Sequence, residues 1–268
     1  MKLLSLNVAL FEPNNSKLTK FLKDQAPDIV CFQEVTRALD TNVLKKYISK
    51  DPIDTATSKL SYGFYGPVDM FGSFELKEFH GKGKFRFNPG GILELGNYMK
   101  SKYPIKKAQN IFLEGHFTYD TDWNSKWPEE DYRAALVADI YLGKNLLRVI
   151  NYHGIWTRDK LGNERTLSAC KKIKDLALEA KGEVIICGDF NLFPGTPSMK
   201  VFQDSFISLV ERYNIKMTRP ASNELSGQDR NVVDYILLSR NIKVKSFNVL
   251  GTDVSDHLPL VLEFELPK

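Results

Sequence analysis

The chain has 268 residues, 43% of them apolar and 26% charged, the balance of a soluble globular protein with a sizeable core. Its 37 basic and 33 acidic residues leave a net charge of +4, compatible with an anionic substrate but too small for a protein that coats nucleic acid. No apolar run approaches the ~18 residues of a membrane span, and no C-x-x-C pair exists, which excludes a transmembrane helix and gives no sign of a zinc site or disulfide framework.

The first segment, Leu3 to Val8, reads as a strand. It carries the polar Asn7 where a signal peptide would need an apolar stretch, so a cytoplasmic location is expected. Asn14, Asn15 and Ser16 supply cap residues for a helix whose face is marked by Leu18, Phe21 and Leu22 and which Pro27 stops. Asp28 to Glu34 is a second apolar strand ending in a carboxylate, and Leu39, Val43 and Tyr47 suggest a helix after it. Between Asp51 and Gly91 glycines and aromatics crowd together. There Gly81 and Gly83 could turn a hairpin bearing Lys82, Lys84 and Arg86. Gly96 to Ile105 reads as a strand running into a turn, followed by an aromatic and acidic loop with Trp123 and Trp127. Ala134 to Leu142 and Leu146 to Tyr152 look like a strand pair joined at Gly143. Asn163 to Lys181 is the clearest helix, with Leu167, Cys170, Ile173 and Ala177 on one side and Gly182 as its stop.

Val184 to Cys187 is an apolar run too short for a typical helix, ended by Gly188 and followed by Asp189 and Asn191. Thr196 and Pro197 start a short helix. Phe206 to Val210, Asn231 to Leu238, Val244 to Leu250 and Leu260 to Leu266 complete the series, the last three read as strands. Cys31 and Cys187 fall inside strand-like runs and Cys170 on a helix, as expected of buried free thiols. With no repeat or linker and with strands and helices interspersed, one α/β or α+β domain over residues 1–268 is the economical reading.

Polar groups recur in or next to these apolar runs: Asn7, Glu34, His153, Asp189 with Asn191, Asp234, and Asp256 with His257. Each alone has a plain structural explanation; Asp189 and Asn191, for instance, could close an Asx turn on their own backbone. Together they describe a chain that delivers carboxylates, amides and imidazoles to a shared cleft. Oxygen ligands without cysteine select hard cations such as Mg²⁺ or Mn²⁺. Such a cation among histidines and carboxylates suits hydrolysis of a phosphate ester by an activated water.

These residues resemble the endonuclease/exonuclease/phosphatase superfamily. The likeness is carried in order by Leu6-Asn7-Val8, Gln33-Glu34, Gly96-Asn97, Tyr103-Pro104-Ile105, Arg133, Asn151-Tyr152-His153, Gly188-Asp189-Phe190-Asn191, Val233-Asp234-Tyr235-Ile236 and Ser255-Asp256-His257. It implies a four-layer sandwich, two packed mixed β-sheets flanked by helices. It also implies roles. Glu34 would bind the divalent cation, Mg²⁺ or Mn²⁺, with Asn7 beside it and Asp256 as a further ligand. Asp189 would orient or deprotonate the attacking water, and Asn191 would hydrogen-bond the phosphoryl oxygen. His257, held by Asp256, would contact the phosphate or act as base. His153 stands where abasic-site endonucleases use Tyr, Arg133 resembles a phosphate contact, and Asp234 resembles the acid near the second histidine. Which of Asp189 and the Asp256–His257 pair is the base stays open.

No tryptophan lies between Asn191 and Asp234, which together with His153 argues against abasic-site repair. Nucleic acid leads as the expected substrate because basic and aromatic residues interleave from Lys77 to Phe87, with Trp123, Trp127 and Trp156 elsewhere. Simple strand alternation, with Phe85 and Phe87 inward and the charges outward, explains that hairpin better. A small-molecule phosphate or a lipid headgroup is the alternative, the latter resting on the aromatic stretch Tyr62 to Phe74; no stable membrane insertion is expected. A catalytically inactive phosphate-binding module is a third reading, opposed by the presence of the complete polar set.

Overall fold

The computed structural model describes residues 1–10, 14–76, 84–119, 132–220 and 231–267. In chain order the elements are β1 (Lys2–Asn7), α1 (Asn15–Gln25), β2 (Ile29–Ala38), a 3-10 turn (Lys45–Tyr47), α2 (Lys50–Ala56), β3 (Tyr62–Phe71), β4 (Phe74–Leu76), β5 (Phe85–Phe87), β6 (Leu93–Ser101), β7 (Ile105–Glu114), β8 (Arg133–Leu142) and β9 (Asn145–His153). There follow α3 (Glu164–Leu178), β10 (Glu183–Asp189), a one-turn helix (Pro197–Lys200), β11 (Phe206–Ser208), a second one-turn helix (Leu209–Arg212), β12 (Asp234–Ser239), β13 (Lys243–Val249) and β14 (Leu260–Glu265).

The strands form two mixed six-stranded sheets, ordered β13-β14-β1-β2-β6-β3 and β11-β12-β10-β9-β8-β7, with β4 and β5 as a separate hairpin. Alternation along β1 shows how they stack. Leu3 packs with Ile29, Cys31, Ile185 and Cys187 in the core between the sheets, whereas Leu4 and Leu6 pack with Val30 and Phe32 against Leu18 and Leu22 of α1 and Ile53 of α2. On the far side of the second sheet, α3 buries Cys170, Ile173 and Ala177. Helix, sheet, sheet, helix gives the four-layer α/β sandwich, with central strands buried on both faces and apolar almost throughout. All three cysteines are buried and free. Among the described residues no helix is long and apolar enough to cross a membrane.

Local signals account for several boundaries. Asn14 caps α1 and Ala26, in the left-handed region, ends it through its N–H bond to the Leu22 carbonyl at 3.0 Å. A capping box at Asn163 and Thr166 opens α3. The helix expected from Leu39 to Tyr47 does not form as such. Asp40 accepts from the N–H groups of Asn42 (2.8 Å) and Ile92 (2.7 Å), and Leu44 N donates to the Pro89 carbonyl at 2.8 Å, so local and tertiary bonds replace the helical ladder. Only the Lys45–Tyr47 turn is helical there, and Leu39 and Leu44 are exposed. The strand expected from Asn231 begins at Asp234, and only Phe206–Ser208 of the Phe206 to Val210 run is extended. Strands β4 and β5 pair Phe74 with Phe87, while Gly81 and Gly83, the expected turn, lie outside the described residues, as do Trp123 and Trp127.

Candidate active site

Two parallel pairs sit at the centre of the sheets, β1 with β2 and β9 with β10. Asn7 ends β1, His153 ends β9 and Asp189 ends β10, so three polar side chains leave one edge of the sandwich together. Register sharpens this. Asp189 is paired with His153 on one side and with Asp234, the first residue of β12, on the other, which puts all three on the same face.

Glu34 reaches the cleft through a bulge in β2. Phe32 pairs with Tyr98 and Val35 with Gly96, leaving Gln33 and Glu34 opposite Asn97 alone. Glu34 has φ 58°, a conformation that costs a non-glycine residue on the order of 1 kcal/mol. Two bonds hold it: Leu10 N donates to Oε2 at 2.7 Å and Asn7 Nδ2 donates to Oε1 at 2.9 Å. The bulge also exposes backbone acceptors, and Asn151 of β9 crosses from the other sheet to meet them. Its Nδ2 donates to the carbonyls of Phe32 (2.9 Å) and Tyr98 (3.3 Å), and its Oδ1 accepts from Gln33 Nε2 at 2.6 Å.

Asp189 does two things at once. Its Oδ1 accepts from Asn191 N at 2.8 Å, closing the Asx turn that the sequence suggests. Its Oδ2 faces the cleft, 3.3 Å from Asn7 Nδ2, 3.7 Å from His257 Nε2 and 3.9 Å from His153 Nε2. Gly188 makes this approach possible: with φ 136°, a Cβ there would stand 2.0 Å from the Tyr152 carbonyl oxygen. Asn191, at φ 56°, turns its side chain between Lys160 Nζ, which donates to Oδ1 at 2.7 Å, and the Gly154 carbonyl, which Nδ2 meets at 3.2 Å.

His257 is held by Asp234, not by Asp256 as its sequence neighbour suggests. The Nδ1 lies 2.9 and 3.0 Å from the two Asp234 oxygens, while Asp256 is half exposed and accepts from Arg219 Nη2 at 3.3 Å. The bend that carries Asp256 and His257 leaves Asp256 exposed toward Arg219 and His257 buried against β12, so the partner of His257 comes from the other sheet. Thr218 Oγ1 fixes that strand by accepting from Val233 N and Asp234 N at 3.0 and 3.1 Å. Ser255 Oγ ties the loop to β1 by donating to the Asn7 carbonyl at 2.6 Å.

The charges follow from this packing. Burial alone would push His257 down, but the carboxylates of Asp234, Asp189 and Asp256 prevail and raise it to about 9. Burial and the nearby Arg133 push His153 well below the usual imidazole range. Burial raises Asp189, yet His257, His153 and Lys160 together outweigh it and hold that carboxyl below its ordinary value. The packing thus favours the ionised form of Asp189 and drives the two imidazoles in opposite directions, His257 toward protonation and His153 away from it. Asp234 is raised, by burial first and then by the charge of Asp189, against the pull of His257.

The carboxylate oxygens of Glu34 and Asp256 suit a hard divalent cation. Asn7, expected beside it, instead turns Nδ2 to the carboxylates of Glu34 and Asp189 while its Oδ1 accepts from Ala9 N at 3.1 Å. Glu34 is raised by burial and then by the charge of Asp256, a repulsion between carboxylates that a cation would relieve, so the group fits. Asp189, Asp234 and His257 also offer ligand atoms within 4.8 Å of one another, but the Asp234–His257 contact already uses that carboxylate. Arg133 Nε donates at 2.9 Å to the Gly154 carbonyl, the acceptor that Asn191 Nδ2 also meets.

Sequence reasoning missed Lys160. It lies in a polar loop beside Arg158 and Asp159, with no pattern to distinguish it from surface lysines, yet it is fully buried. It also overlooked the structural work of Asn151 and Thr218.

A sandwich of two mixed sheets whose parallel strand ends converge carboxylates, imidazoles and amides on one cleft is the framework of a phosphoester hydrolase. The chain belongs to the Endonuclease/Exonuclease/phosphatase family, whose model matches residues 4–257. Members of this family hydrolyse phosphoesters and generally depend on a divalent metal. The structure is similar to an endonuclease/exonuclease/phosphatase from Bacteroides vulgatus (16% identity, TM-score 0.72, 99% of this chain and 98% of that one). It is also similar to the human Nocturnin catalytic domain with bound sulfate (18%, 0.64, 100% and 93%) and to the mannosyl-6-phosphatase Bt3783 of Bacteroides thetaiotaomicron (15%, 0.64, 99% and 100%). At these identities the likeness is one of fold. No curated protein gives a significant sequence match.

Proposed function

We propose that the protein is a divalent-metal-dependent hydrolase that cleaves a phosphate ester with an activated water. The observation that carries this reading is the position of Asp189 Oδ2, within 3.9 Å of both imidazoles and 3.3 Å from the Asn7 amide. Water placed at Asp189 gives its proton to that carboxylate as its oxygen bonds to phosphorus and the ester P–O bond breaks. Charge growing on the phosphoryl oxygens meets the Nε2–H of His257 and the amide of Asn191, with Arg133 as a further contact. Asp234 keeps the proton on His257 Nδ1, and neutral His153 can donate or accept one hydrogen bond. Asp189, rather than His257, is the base in this scheme, because its Oδ2 faces the cleft while His257 is engaged through Nδ1 by the Asp234 carboxylate. Glu34 and Asp256 would hold the metal, Mg²⁺ or Mn²⁺, with Asn7 orienting Glu34 through its amide; the metal when bound supplies charge neutralisation at the phosphate.

For the substrate we favour a nucleic-acid phosphodiester in a cytoplasmic setting. The exposed rings of Phe117 and Tyr119, beyond the end of β7, offer faces for base stacking. A small-molecule phosphate ester is the second reading. It is favoured because Lys84 and Arg86 both pair with Glu75 and Phe87 is buried, so this part of the basic stripe is spent within its own hairpin. The similarity in fold to a mannosyl-6-phosphatase supports it too.

Purified protein should be assayed with Mg²⁺, Mn²⁺ or EDTA against DNA, RNA, nucleotides, sugar phosphates, inositol phosphates and sphingomyelin. Asp189→Ala and His257→Ala should each lower kcat/KM by about 10³-fold. Activity that survives both substitutions sinks the assignment, and phosphate binding without metal-dependent turnover points to an inactive binding module. If nucleic acid is the substrate, oligonucleotide affinity falls steeply with salt; a flat dependence favours the small phosphoester.

A further inference from the structure

We propose that Lys160 is a positioning residue that locks the Asn191 amide with its NH₂ group turned toward the phosphoryl oxygen. The inference rests on the functional reading above. An ammonium group can only donate hydrogen bonds, so an asparagine facing it must present its oxygen and direct its nitrogen elsewhere. Lys160 Nζ lies 2.7 Å from Asn191 Oδ1, and the reverse orientation of the amide would set NH₂ against NH₃⁺. Asn191 Nδ2 spends one hydrogen on the Gly154 carbonyl at 3.2 Å. The second hydrogen is left for a ligand in the cleft.

The lysine is itself held on three sides. Its side chain is fully buried, with Nζ 4.5 Å from the centre of the Trp156 ring. Its carbonyl accepts from Phe193 N at 2.9 Å, which binds the Lys160 turn to the segment just after Asn191. Lys160 adopts φ 57°, in a turn where Asp159 Oδ1 accepts from Leu161 N at 3.0 Å. Burying a lysine is costly unless its charge is used, and the Asn191 amide oxygen is one of the groups that it serves.

The test is a double-mutant cycle on the full chain with Lys160→Met, Asn191→Ala and both together. Two readouts are taken in Mg²⁺: calorimetric affinity for inorganic phosphate, and kcat and KM on the best substrate. Lys160→Met should weaken phosphate binding about tenfold and lower kcat by about 10 to 100-fold with little change in KM. The double variant should lose far less than the product of the two single losses, because the lysine acts chiefly through that amide. Losses that multiply in the double variant, or a Lys160→Met protein within twofold of wild type, overturn the proposal. Melting curves check the fold, and Lys160→Gln carries the same cycle if the methionine variant does not fold. A wild-type protein that hydrolyses nothing but shows this pattern in phosphate binding leaves the positioning role standing and removes the functional reading. Wild type that binds no phosphate removes both.

Discussion

His257 and Asp234 make the sharpest statement at the residue scale. Two histidines stand within 4 Å of one carboxylate oxygen, yet the one backed by a second acid is driven toward protonation and the other away from it. In metal-free protein the His257 imidazole should titrate near pH 9 by NMR, and Asp234→Asn should bring it down sharply. The sign follows from the shift. A folded pKa of about 9 exceeds the unfolded value of ~6.5, so this group's stabilisation is complete below ~6.5 and is lost as pH rises through about 9. A His257 pKa unchanged by Asp234→Asn would contradict the pairing.

At the scale of elements, α2 is fastened to the outer face of the first sheet by Asp54. Lys50 Nζ (2.6 Å), Lys100 Nζ (3.1 Å) and the Tyr98 hydroxyl all donate to its carboxylate. Burial pushes Asp54 up, but these three donors prevail and lower it. The stabilisation is therefore present above the ordinary carboxylate range and is lost as pH falls through the lowered pKa. Asp54→Asn should reduce Tm by about 2 °C at neutral pH, a modest figure because the pair is partly solvated. The difference should close in acid, and a Tm gap that persists there would rule out the ionised clamp.

For the whole molecule, the seam between the sheets is where the polar set is assembled, and Asn151 fastens it. Asn151→Leu would strand the Gln33 amide and the carbonyls of Phe32 and Tyr98 in a buried place, at a cost of about 3 kcal/mol. Denaturant unfolding should show this as a lower midpoint with an unchanged m-value; a midpoint equal to wild type would mean that the sheets do not depend on this link. Much of this seam was legible beforehand. Asn7, His153 and Asp189 stand out because a polar residue at the end of an apolar run is conspicuous, and parallel pairing then brings such ends together. Periodicity marks which face of β1 is buried but not what covers it, so the layering came only from the resemblance. The partner of His257 was half legible: the resemblance placed Asp234 near the second histidine but gave the holding role to Asp256, whereas the structure gives it to Asp234, which pairing of β10 with β12 sets beside Asp189. Lys160 had no pattern at all.

The strand order has a consequence for folding. The second sheet is drawn from one continuous stretch, β7 to β12, whereas the first cannot close until β13 and β14 return from the far end of the chain to β1. Closing a loop of that length is slow, so the second sheet can condense on its own contacts while the first still waits for its last strands. Asp189, His153 and Asp234 would then stand ready early, and Asn7 would meet the loop of His257 only when β14 docks. The cleft would therefore be complete only after β14 has docked on β1.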